Sequence, residues 1–142
     1  MNENSLARPA IVVDLKKYRI RVHKNTLHSI GDPDDVLLLV NPEECTLAIL
    51  RSDLSDPLSH HISWASLAKR KSFELYSRAL IKSLRDVCCY WQDNQSYRIY
   101  GEIISKEGLA LFHIAKSVPV NGVHHNTMER TMYLQAENLL PQ

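Results

Sequence analysis

Apolar and polar residues alternate early in the chain in a way that an extended backbone can use. Tyr18, Ile20 and Val22 alternate with Lys17, Arg19, Arg21 and His23. A β-strand here puts its apolar residues on one face and its cations on the other. The segment AIVVDLKKYRIRV (10–22) is rich in β-branched residues and predicts one long strand, or two short ones broken near Asp14. NTLHSIG (25–31) then predicts a helical turn capped by Asn25 or Thr26 and stopped by Gly31. In DPDD (32–35), Pro33 fixes φ for a turn.

The run VLLLVNPEECTLAIL (36–50) places two apolar stretches around Asn41-Pro42-Glu43-Glu44 and predicts a β-hairpin. Residues 51–63 read as loop, and WASLAKRK (64–71) as a short helix or an exposed link. A strand is predicted at Phe73–Tyr76. A principal helix near 77–90 follows, capped by Ser77, with Ala79, Leu80, Leu84, Val87 and Cys88 as its apolar face and Arg78, Lys82 and Arg85 opposite. YRIYGEIISKEGLALFHIAK (97–116) predicts a second hairpin around Ser105–Gly108. An amphipathic C-terminal helix, capped by Asn126 or Thr127, carries Met128, Met132 and Leu139 on one side. Residues 1–9 read as a polar tail.

The hairpins superpose without a gap when residues 36–50 are laid on 100–114, with Leu47 on Leu111 and Glu43 on Glu107. A strand and a helical segment precede each, so the order β-α-β-β occurs twice and suggests an internal repeat. The expected fold is α+β, with a mostly antiparallel sheet, one principal helix and a C-terminal helix. Residues 1–117 form one domain with possible halves 10–52 and 72–117, and 118–142 form a C-terminal extension.

The 142 residues suit one compact domain. A net charge of +1 excludes a protein that coats nucleic acid through bulk charge, so any such role must come from a local patch. The longest aliphatic run, Val36–Val40, is about a quarter of the roughly 20 residues a bilayer requires. No membrane association is expected, and no signal-peptide h-region is seen. Three cysteines, an odd number without framework spacing, point to a reducing compartment and a cytoplasmic location.

Asp14, Lys16, Arg19 and Ile20, then Leu27, Ile30 and Gly31, then Val36 and Leu47 resemble the swapped-hairpin element of AbrB-like and MraZ-like transcription regulators. The resemblance covers residues 11–50 best and 72–114 weakly. It implies a homodimeric, DNA-binding regulator, with two such units in the chain if the MraZ-like members are the guide. The chain departs from that family at Tyr18-Arg19, where Gly-Arg is usual, and at His23, where proline is usual. SFELYSRAL in the second unit has no basic strand.

The candidate nucleic-acid contacts are Lys17, Arg19, Arg21, His23 and Lys24, extended by Lys69, Arg70 and Lys71. Arginine offers a planar fork that matches phosphate oxygens, and a strand spaces alternate side chains by nearly 7 Å, close to the phosphate repeat. The same alternation also suits a merely solvated face. His60-His61 and His124-His125, with Cys45, Cys88 and Cys89, invite a metal reading. Adjacent pairs do not turn both side chains onto one ion, so no metal site is assigned. Cys88 or Cys89 with His113 could form a nucleophile and base, but neither follows a glycine-rich elbow, and Cys88 falls on an apolar helix face and reads as core. No phosphate-binding glycine loop or other catalytic motif is present, so the chain reads as a non-enzyme without a cofactor. The alternative to DNA binding is a protein-interaction module docking through a sheet edge or the C-terminal helix, with a homo-oligomer or another protein as partner.

Overall fold

Asp14 breaks the first extended segment in two. Its Oδ1 accepts the backbone N–H of Lys16 at 2.9 Å and of Lys17 at 3.1 Å, and Tyr18 takes φ +54° to close the turn. β1 (Ala10–Asp14) and β2 (Arg19–His23) are therefore antiparallel neighbours. The computed structural model describes residues 8–53 and 55–120.

α1 (Lys24–Ser29) follows β2 directly. Its cap is the His23 ring, whose Nδ1 accepts the Asn25 N–H at 3.0 Å, rather than Asn25 or Thr26. Thr26 is instead drawn into the core beside Leu27. Gly31, at φ +97°, ends the turn. β3 (Asp35–Asn41) and β4 (Thr46–Arg51) form the expected hairpin. The Asn41 side chain accepts the N–H groups of Glu43 and Glu44, both at 3.1 Å, and Cys45 supplies the positive φ. In the stretch expected to be loop, β5 (His60–His61) pairs with β3, and α2 (Trp64–Leu67) follows.

β6 (Ser72–Tyr76) pairs with β2 and leads into α3 (Arg78–Val87), which Ser77 caps through the Leu80 N–H. The helix stops at Val87, short of residue 90, with Cys88 at φ −115°, outside helical geometry. Its buried face is Ile81, Leu84 and Cys88, flanked by Leu80 and Val87, while Ala79 is exposed. The i, i+3, i+7 series therefore starts at Ile81. β7 (Ser96–Ile104), β8 (Leu109–His113) and the short β9 (Val118–Pro119) are the last strands among the described residues.

The nine strands among the described residues make one antiparallel sheet in the order β5-β3-β4-β8-β7-β1-β2-β6, with β9 beside β7. It curls into a half-barrel. The buried side chains include Ile11, Val13, Ile20, Val22, Leu47, Ile49, Ile99 and Phe112 from strands, and Leu27, Leu67, Ile81 and Leu84 from helices. Each such aliphatic or aromatic side chain contributes about 1.5–3 kcal/mol by leaving water.

β7 joins the two halves of the sheet, since its first residues pair with β1 and its last with β8. Gly101 sits at the changeover. A Cβ there would lie 2.2 Å from the Leu111 carbonyl oxygen and 2.6 Å from the Phe112 ring, and its own N–H reaches Pro9 O at 2.9 Å. Only glycine allows this approach. Pro9 is thus tied to the sheet rather than part of a loose tail.

The order strand-helix-strand-strand does occur twice, as β2-α1-β3-β4 and β6-α3-β7-β8. Corresponding strands also pair with each other: β2 with β6 and β4 with β8. Leu47 faces Phe112 and Ala48 faces Leu111, which is the reciprocal register that a local two-fold between the hairpins requires. The sheet runs past residue 117, because β9 pairs with β7 and the Val120 N–H reaches Ser96 O at 2.8 Å. The expected C-terminal helix lies outside the described residues. Among those described, no helix is long and apolar enough to cross a membrane.

Candidate anion-binding face

The outer face of β6-β2-β1-β7 carries three rows of side chains fixed by strand register. Tyr76, Arg19, Asp14 and Ser96 form one; Glu74, Arg21, Val12 and Arg98 the next; Ser72 and His23 lead the third, with Ala10 and Tyr100 paired beyond them. Cross-strand partners share a face, so the cations here are set by pairing and not only by alternation within β2.

Arg19 is already occupied. Its Nη2 lies 3.0 Å from Asp14 Oδ2 and its Nη1 3.7 Å from Glu74 Oε2, with the side chain only 12% exposed. Burial pulls its pKa down, but the Tyr76 hydroxyl, Glu74 and Asp14 together outweigh that and hold the guanidinium charge more firmly than in water. Its Nε is enclosed with no hydrogen-bond partner. Arg21 is different. Its side chain is 43% exposed, and the carboxylate it pairs with among the described residues, Glu74, stands 3.8 Å away, beyond hydrogen-bond range.

The other expected contacts divide into two groups. Lys17 is exposed in the β1–β2 turn, away from the far end of β2. At that far end the Lys24 N–H donates to Lys71 O at 2.9 Å and Lys24 Nζ to Leu67 O at 3.3 Å. These bonds bring the exposed Lys69, Arg70 and Lys71 against the end of the strand that carries Arg21 and His23. Arg78, Lys82 and Arg85 lie elsewhere: Arg78 stacks over Tyr18 at 4.2 Å, and Arg85 pairs with Asp93.

Three further basic groups share a groove of about 670 Å³ with Arg21 and His23: Arg8, His28 and Arg98. Arg8 lies over the Tyr100 ring at 4.8 Å. His28 stacks on Trp64 at 5.2 Å and meets Asp32 at 2.6 Å. The pattern within β2 cannot reveal Arg98, because it enters the face only through the pairing of Val12 with both Arg21 and Arg98. The available signal is the Tyr97-Arg98-Ile99-Tyr100 alternation.

Cys88 is buried among Ile114 O and Ser117 Oγ, and desolvation raises its thiol pKa, so it is a poor nucleophile at neutral pH. Among the described residues, no three His, Cys, Asp or Glu side chains come together as a metal site would need. No family model matches the chain, and neither a curated protein nor a solved structure matches it.

Proposed function

We propose that the protein is a non-enzymatic DNA-binding regulator whose contact surface is the exposed basic end of β2 together with the Lys69–Lys71 segment. The observation that carries this reading is the Lys24–Lys71 backbone bond, which sets the triplet beside His23 and Arg21. Cations clustered on a rigid strand and an adjoining loop can track a phosphate backbone. Arg19 holds the row in place through Asp14 and Glu74 and does not itself contact phosphate in this reading. The resemblance of residues 11–50 to swapped-hairpin regulators supports the same assignment.

The test is a duplex-DNA titration at several salt concentrations. Binding should weaken linearly on a log–log plot, and replacing Lys69, Arg70 and Lys71 by alanine should reduce the slope by about 0.9 for each phosphate the variant no longer neutralises. Wild-type protein without salt-dependent duplex affinity ends this reading.

A protein-interaction role is favoured by a different observation. β6 is a terminal strand of the sheet, with no strand on its outer side among the described residues, and Tyr76 there is 61% exposed. Such an edge can pair with a second copy or with another chain. Sedimentation of the full chain over a range of concentrations distinguishes self-pairing from a monomer.

A further inference from the structure

We infer that the groove between β1, β2 and β7 is a binding site for an organic phosphate ester, with Arg21 and Arg98 as the two sides of the grip and Arg8 as a third cation. The groove shares Arg21 and His23 with the proposed duplex surface but not the Lys69–Lys71 segment, and it does not require duplex binding.

Three features lead to this ligand. First, Arg21 and Arg98 both pair in register with Val12, so they share its face and stand two strand spacings apart, about 10 Å between backbones. Long, forked side chains on both sides of such a gap suit one tetrahedral anion better than two separate carboxylates. Second, the charge there is largely uncompensated. Among the described residues no carboxylate lines the groove and none pairs with Arg98, while Glu74 makes only a long ion pair with Arg21 at 3.8 Å and is shared with Arg19. Third, the floor is apolar. Pro9, Ala10 and Val12 line it between the arginines, which suits the carbon side of an ester better than a bare inorganic ion. Tyr100, beneath the Arg8 guanidinium, orients that side chain toward the same end. His23, Asn25 and Ser72 add polar groups at the rim that can donate to the remaining oxygens.

A phosphate ester can arrive as a small molecule or as one link of a nucleic-acid strand. Calorimetric titration of the full chain with adenosine monophosphate, with a twelve-residue oligodeoxythymidine and with adenosine separates the two. Saturable binding of either phosphate probe, with none of adenosine, is the expected result. Tighter binding of the nucleotide assigns the groove to a small phosphorylated ligand, and tighter binding of the oligonucleotide assigns it to a single strand. Arg98→Gln should weaken the preferred probe at least about tenfold, the loss of one charge-assisted pair. Lys82→Gln, which removes the same charge outside the groove, should not. If Arg98→Gln loses its native circular dichroism, the exposed Arg21→Gln variant decides the question in its place. Failure of both phosphate probes to saturate, equal binding of adenosine, or equal weakening by Lys82→Gln overturns the site.

Discussion

Asp14 holds Arg19 across the first turn at 3.0 Å while also accepting the N–H groups that shape that turn. One carboxylate therefore fixes both the break between β1 and β2 and the orientation of the first arginine on β2. Replacing Arg19 with alanine leaves Asp14 and Glu74 facing each other in a largely enclosed place and should cost about 3 kcal/mol. Replacing the exposed Arg21 should cost no more than about 0.5 kcal/mol. Urea denaturation of the two variants checks this, and equal small losses would refute the structural role given to Arg19.

Gly101 should not tolerate a methyl group. The nearest obstacle is the Leu111 carbonyl, a backbone atom in a paired strand, so relief requires moving β8. Gly101→Ala should destabilise the fold by about 3 kcal/mol, the upper end of ordinary overpacking. A melt unchanged from wild type would show that β7 and β8 leave room for a methyl group at this position.

Ser117 gathers the aromatic end of the α3 region. Its Oγ accepts from Trp91 Nε1 at 2.8 Å and meets the Tyr90 hydroxyl at 2.8 Å. Ser117→Ala strands a buried indole N–H, which should cost about 1–3 kcal/mol. Trp91 stacks on Tyr97 at 4.9 Å, so its fluorescence should respond to the substitution. Lower stability without a spectral change would place the effect elsewhere.

His60, half-buried in β5, should make stability depend on pH. Desolvation lowers its pKa in the folded state. The unfolded chain then binds the proton more tightly, so the stabilising contribution is complete above the ordinary histidine value of about 6.5. It declines as the pH falls through that value and is lost below the folded-state pKa. Urea midpoints at pH 7.5 and pH 5 should differ less for His60→Gln than for wild type, and an identical difference would remove His60 from the account.

Both hairpins are legible in the sequence because turn chemistry and alternation coincide there. Asn41 folds back on Glu43 and Glu44, and Gly108 takes φ +62° at the second turn. α3 is visible through Ser77, but its face is not, because Ala79 is compatible with either a buried or an exposed position and only the packing of Ile81 settles it. β5 and β9, two residues each, are too short to leave a period and exist through pairing alone. The basic strand is legible as charge, but which of its arginines is occupied is not. That depends on Asp14 across the turn and on Glu74, which reaches Arg21 only through the β2–β6 register. Arg98 joins the face by the same long-range route.

The placement of β7 between β1 and β8 also governs how the chain can fold. Ala10 pairs with Tyr100, so the strand that starts the sheet acquires its second neighbour only after most of the chain is available. During synthesis β1 has only β2 to pair with until β7 has left the ribosome, and its other edge stays open meanwhile. Contacts so distant along the chain make loop closure the slow step, and refolding should take milliseconds to seconds rather than microseconds.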